Sequence, residues 1–193
     1  YLSKTRHQAM RKAFFIIILW LPVTLFAQLN FIDLEAITIS PEELKGKFKQ
    51  EKFISDRAIT LLSTGVFSYQ RGKNILWKTL EPIENELIIV PSTIVNKQGG
   101  NELVHLDVNP TVRMINELFF FILTSEWQEL SGLFELSGNL EHGIWTAELT
   151  PIDKTIALFS SRIALSGDTL LREITLYGKG GGFTKISFDK LSQ

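Results

Sequence analysis

The sequence predicts a mainly β, α+β fold: a single curved antiparallel sheet with a helical interruption. Three observations carry this. Strand-like segments recur at roughly 8–12-residue spacing, separated by Gly, Pro, Asn and Asp turns. Most of them alternate large apolar with polar residues, the pattern of a sheet wet on one face. At Pro110 the apolar period changes from two to helical. The composition agrees. The 193 residues are 45% hydrophobic and 21% charged, enough apolar material to fill a core. The absence of cysteine excludes a disulfide scaffold, a thiol nucleophile and a thiolate metal site. A formal net charge of −1 argues against a generally basic nucleic-acid binder.

Residues 1–27 carry Lys4, Arg6, Arg11 and Lys12 and no acidic side chain. Met10-Arg11-Lys12, the apolar run to Phe26 and the small Ala27 read as a cleavable signal peptide starting at Met10, with residues 1–9 an upstream extension. The other reading of the same run is an uncleaved anchor, although it is shorter than the ~20 apolar residues a spanning helix needs. Removing residues 1–27 leaves 16 basic against 21 acidic residues, a net charge of −5 on an exported domain, 28–193.

Along that domain, Ser40-Pro41-Glu42-Glu43 reads as a capped helix start, with Gly46 keeping the helix short. A strand follows from Lys47, with neither face clean. Residues 58–71 form a stronger strand, with Gly65 as a bend and Phe67, Tyr69 and Arg71 on one face. Gly72-Lys73-Asn74 turns the chain into residues 75–80, which hold Trp77 and end at Glu81-Pro82. Residues 86–90, 93–96 and 102–106 are further strands. From Pro110, Val112, Ile115, Leu118, Phe119 and Ile122 follow helical spacing. Met114, Phe120, Phe121 and Leu123 make that helix apolar almost all round, so it must be covered on most sides. A shorter helix, capped by Ser125, is expected to Leu130. Strands resume at Leu133, with Phe134, Leu136 and Leu140 on one face, and continue with Trp145, Ala147 and Leu149. Residues 155–165, 170–177 and 183–189 complete the meander, with residues 110–130 plugging its apolar side.

No enzymatic constellation stands out. His105 and Asp107 share a strand face without a third ligand nearby, and His142 lies in a turn beside Glu141. No G-x-S-x-G occurs, and the glycines at 178–182 lack the order of a phosphate loop. The sequence therefore implies no catalytic residue, metal or cofactor. What remains is aromatic content. The chain has 14 Phe, with Phe119, Phe120 and Phe121 consecutive. Two readings fit: a packed core, or an apolar cavity for an acyl chain. The cavity candidates are Phe67, Tyr69, Trp77, Ile115, Leu118, Phe119, Ile122, Phe134, Leu136 and Trp145.

Several short motifs occur in a telling order. They are Phe48-Lys49-Gln50, Ser63-Thr64-Gly65-Val66-Phe67, Arg71, Ile75-Leu76-Trp77 and Glu81-Pro82, then Trp145, Leu149 and Pro151, then Ile163 and Leu165, and finally Gly182-Phe183-Thr184-Lys185-Ile186 with Phe188. Over residues 44–190 this resembles the LolA family of periplasmic lipoprotein carriers. It is closer to the divergent LolA-related proteins encoded beside acyltransferase, ketosynthase and exporter genes, since Gly72 follows the arginine and Pro91-Ser92 replaces an Asp-Gly turn.

The resemblance implies a strongly curved sheet, an unclosed β-barrel with a helical lid. It implies a monomeric carrier in the periplasm of a Gram-negative bacterium, not an enzyme. Its cargo would be an acylated lipoprotein or another acyl lipid, taken from an inner-membrane exporter and delivered to an outer-membrane acceptor. By the same resemblance Arg71 is the lid lock, a buried guanidinium bonded to lid carbonyls. A second function is a lipid-sensing periplasmic regulator acting through protein–protein contact.

Overall fold

The computed structural model describes residues 28–90, 93–98, 101–105 and 110–193. The expected signal peptide and Asp107 lie outside the described residues, as do the side chains of His105 and Ile115. Among the described residues no helix is long and apolar enough to cross a membrane.

The chain opens with a short helix α1, Phe31–Ile37. Asn30 caps it: its side chain accepts from the Asp33 N–H at 3.0 Å, and Asp33 accepts from the Asn30 N–H at 3.2 Å. Eleven strands follow among the described residues. The first six are β1 (Glu43–Ile54), β2 (Ile59–Gln70), β3 (Asn74–Glu81), β4 (Asn85–Val90), β5 (Thr93–Gln98) and β6 (Asn101–His105). Helix α2 spans Pro110–Thr124, and a 3-10 turn occupies Trp127–Leu130. Then come β7 (Phe134–Glu141), β8 (Ile144–Pro151), the four-residue helix α3 (Ile156–Phe159), β9 (Ser160–Gly167), β10 (Leu171–Gly178) and β11 (Phe183–Ser192).

All the strands belong to one antiparallel sheet in the order β6-β5-β4-β3-β2-β1-β11-β10-β9-β8-β7. The first and last strands meet in the middle, with Phe48 opposite Phe188 and Gln50 opposite Ile186. The outermost strands, β6 and β7, do not pair, so the barrel is unclosed. Register puts Leu44, Phe48, Phe67, Tyr69, Trp77, Ile174, Ile186 and Phe188 on one buried face, which α2 covers. Gly65 sits where this face is tightest. A Cβ there would collide with the Lys78 carbonyl and stand 2.6 Å from the Phe48 ring.

Four expectations need correction. Ser40 starts no helix: Glu43 already belongs to β1, whose pairing with both β2 and β11 overrides the local capping pattern. The helix of this region is α1, which ends at Ile37, before Ser40. Ser125 caps nothing with its side chain. It adopts φ 59° and ends α2, with the Glu126 N–H bonded to the Phe121 carbonyl at 2.9 Å. The start of the expected strand 155–165 is α3, initiated by the Asp153 carboxylate, which accepts from the N–H groups of Thr155 at 2.8 Å and Ile156 at 3.0 Å. Leu140 keeps its place opposite Trp145, but near the end of β7 nothing covers it and it is 49% exposed.

Candidate functional site

Trp77 is the hub of the concave face. Its ring stacks on Phe48 at a centroid distance of 3.9 Å and meets Phe119 edge-on at 5.7 Å and Phe188 at 6.2 Å. Phe67 lies against Trp77 and Phe188, and Tyr69 meets Phe120 edge-on at 6.1 Å. Beside this cluster the packing opens into a cavity of about 300 Å³ between α2, α3 and the sheet. Its walls are apolar apart from Gln50 and Thr184. A space with this apolar lining suits an apolar ligand. No cluster of three or more potential metal ligands occurs among the described residues.

Of the ten cavity candidates, Trp77, Leu118, Phe119 and Ile122 line this space. Phe67 and Tyr69 are buried beside it, in the core under α2. Phe134 and Trp145 are fully buried in the other half of the sheet, where Trp145 meets Trp127 at 5.7 Å, and Leu136 packs with them half-buried. The Ile115 side chain lies outside the described residues. The sequence reading missed Leu87, Ile89, Phe159, Leu176 and Ile186. Ile186 was findable, because the last strand shares a face with Phe188. Phe159 was not, since it ends a helix read as strand.

Arg71 lies just beyond β2 and is 42% exposed, not buried. Its guanidinium donates to the Ser40 carbonyl and pairs with Glu42 at 3.1 Å. The Ser40 hydroxyl in turn donates to the Thr124 carbonyl, at the end of α2, at 2.6 Å. Two residues earlier, the Thr38 hydroxyl accepts from the Trp127 indole at 2.7 Å. The segment from 38 to 42 is thus a strap. It ties the β2–β3 turn to the C-terminal end of α2, with Arg71 at one end of the chain of bonds. The nearby Tyr69 hydroxyl is buried without an aligned hydrogen-bond partner. Burial raises its pKa, and the Arg71 guanidinium opposes the rise.

This architecture matches known proteins. Residues 40–193 match the family model described as outer membrane lipoprotein carrier protein LolA. The chain belongs to the LolA family. Members of this family are periplasmic carriers or binding proteins rather than enzymes. Among solved structures it is similar to the Pseudomonas aeruginosa MucA/MucB complex, with a TM-score of 0.51 and 14% identity over 84% of this chain and 55% of that one. It spans about half the length of that neighbour. It is also similar to the LolA superfamily protein NE2245 from Nitrosomonas europaea, with a TM-score of 0.41 and 8% identity over 82% of this chain and 89% of that one. A search of the curated proteins returned no match.

Proposed function

We propose that this LolA-family protein is a periplasmic carrier that shields the acyl chain of a lipoprotein or related lipid and delivers it toward the outer membrane. The apolar cavity under α2 carries this reading. Each methylene moved from water into it is worth ~0.8 kcal/mol, so one chain supplies several kcal/mol. The cavity is at the small end of the usual range for ligand sites, ~300–1,000 Å³. A full chain therefore needs α2 to swing away from the sheet, and cargo binding selects that open state. The strap held by Arg71 opposes opening and so favours release.

The discriminating experiment is native mass spectrometry of the protein purified from a Gram-negative periplasm, with lipid extraction of any bound mass. A discrete acylated adduct supports the carrier. A clean apo mass, with no uptake of added acyl lipid, sinks it. The second reading, a regulator acting through protein contact, draws on the structural neighbour described as a MucA/MucB complex. Co-purification of a membrane-anchored regulator with the lipid-free protein would favour it over the carrier.

A further inference from the structure

The cavity has a continuation at one end of the sheet. An open groove of about 520 Å³ lies between the 3-10 turn Ser55–Arg57, α3 and the β10–β11 loop. Phe159, Leu176 and Thr184 line both the groove and the cavity, so the two spaces share a wall there. The groove walls are fixed from both sides. The Ser55 hydroxyl donates to the Gly180 carbonyl at 2.5 Å, and the Lys179 N–H donates to the Phe159 carbonyl at 3.3 Å. Leu158 stands at the rim 78% exposed, an apolar side chain with no packing role there.

The charge at this end differs from that of the whole domain. Lys52, Lys179 and Asp56 line the groove. Among the described residues neither lysine forms a salt bridge, although Lys49, Lys78 and Lys185 all do. An acidic protein thus presents two unpaired cations against one carboxylate at the open end of its apolar cavity. That combination suits a molecule with an anionic head and an apolar tail.

Resting on the carrier reading, we propose that this groove is the headgroup site for an anionic acyl lipid. The chain passes Phe159 into the cavity, and the phosphate or carboxylate stays outside between Lys52 and Lys179. Phe159 acts as the partition, set by the bond between its carbonyl and Lys179. The site therefore selects lipids by head charge, while the cavity selects only for an apolar chain.

The test is calorimetric titration of the protein with lauroyl lysophosphatidylglycerol and lauroyl lysophosphatidylcholine, which share a chain and differ in net charge. The wild type should prefer the anionic lipid by about tenfold. Lys52→Gln combined with Lys179→Gln should abolish that preference, lowering the anionic lipid's affinity to about that of the neutral one. Phe159→Trp should weaken both lipids several-fold by narrowing the passage. Glycerophosphoglycerol, the same head without a chain, should not bind. Equal affinity of the wild type for both lipids overturns the headgroup site alone. So does an equal loss of both in the double variant. Glycerophosphoglycerol binding as tightly as the lysolipid would mean a surface anion site unconnected to the cavity. If neither lipid binds the wild type, the carrier reading itself fails and this site with it.

Discussion

Asp168 accepts hydrogen bonds from the Leu170 N–H and the Arg172 Nε–H, both at 2.9 Å, while its carbonyl takes the Trp145 indole N–H at 2.6 Å. Burial pushes its carboxyl up, but the bonds from Arg172 and Leu170 and the Arg172 charge outweigh burial and hold it below the usual range. A lowered folded-state pKa means stability that is full above the unfolded value, about 3.9, and is lost as pH falls through the folded value. The expected outcome is a melting temperature that drops in acid for the wild type and drops less for Asp168→Asn below about pH 4, followed by calorimetry across that range. Arg71 makes the complementary case: under the proposed carrier function, its loss should affect lipid transfer more than stability. Its ion pair with Glu42 is exposed, so Arg71→Leu should cost only about 1 kcal/mol of closure. With the strap loosened, the open, loaded state is favoured. Transfer of a fluorescent acyl lipid to acceptor vesicles should then slow by about fivefold. Transfer at the wild-type rate would remove Arg71 from the closure mechanism.

Helix α2 ends in a Schellman arrangement built on an unusual residue. The Glu126 N–H reaches the Phe121 carbonyl at 2.9 Å, and the Ser125 N–H reaches Ile122 at 3.4 Å, with Ser125 at φ 59° where glycine is normal. Left-handed backbone costs a non-glycine residue about 1–2 kcal/mol. Allowing for glycine's larger unfolded-state entropy, Ser125→Gly should gain roughly 1 kcal/mol and raise the melting temperature by about 2–4 °C, with no gain for Ser125→Ala. If glycine destabilises, the hydroxyl rather than the backbone decides this position. The same helix end shows what the sequence could and could not disclose. The alternation of Phe67 and Tyr69, the Trp77 return strand and the helical spacing from Pro110 are local signals, and the sheet and α2 follow from them. Ser40-Pro41-Glu42-Glu43 is also a local signal, yet it yields to pairing with two strands distant in sequence. Asp153 starts α3 through two backbone bonds that need the chain already turned at Pro151, so apolar residues read as one strand divide into helix and strand. The cavity lay further out of reach. Trp77, Leu118, Phe119 and Ile122 were visible as large apolar residues, but only the β1–β11 register brings Gln50 and Ile186 against them.

That register also sets how the molecule behaves as a whole. Strands β1–β6 and β7–β11 are two separate meanders, joined in the sheet by the pairing of β1 with β11. The cavity straddles the joint. Trp77, Leu87 and Ile89 come from the first meander, Leu176, Thr184 and Ile186 from the second, and Leu118, Phe119 and Ile122 of α2 complete the lining. In the proposed carrier, a chain bound there would touch both halves, so binding should stabilise them together. Saturation at a hundred times the Kd adds about 2.7 kcal/mol to unfolding. The two halves carry separate reporters, Trp77 in β3 and Trp145 in β8. Each, kept as the sole tryptophan in a variant with Trp20, Trp127 and the other changed to phenylalanine, should show the same midpoint in denaturant, and bound acyl lipid should raise both equally. Ile186→Asp places an unpaired carboxylate in the joint, where Ile186 is 3% exposed, and should lower both midpoints by the same amount, about 3 kcal/mol or more. Two separated midpoints would mean that the meanders fold as independent halves. The cargo would then have to close the joint itself, and affinity would depend on the stability of β11 rather than on the opening of α2.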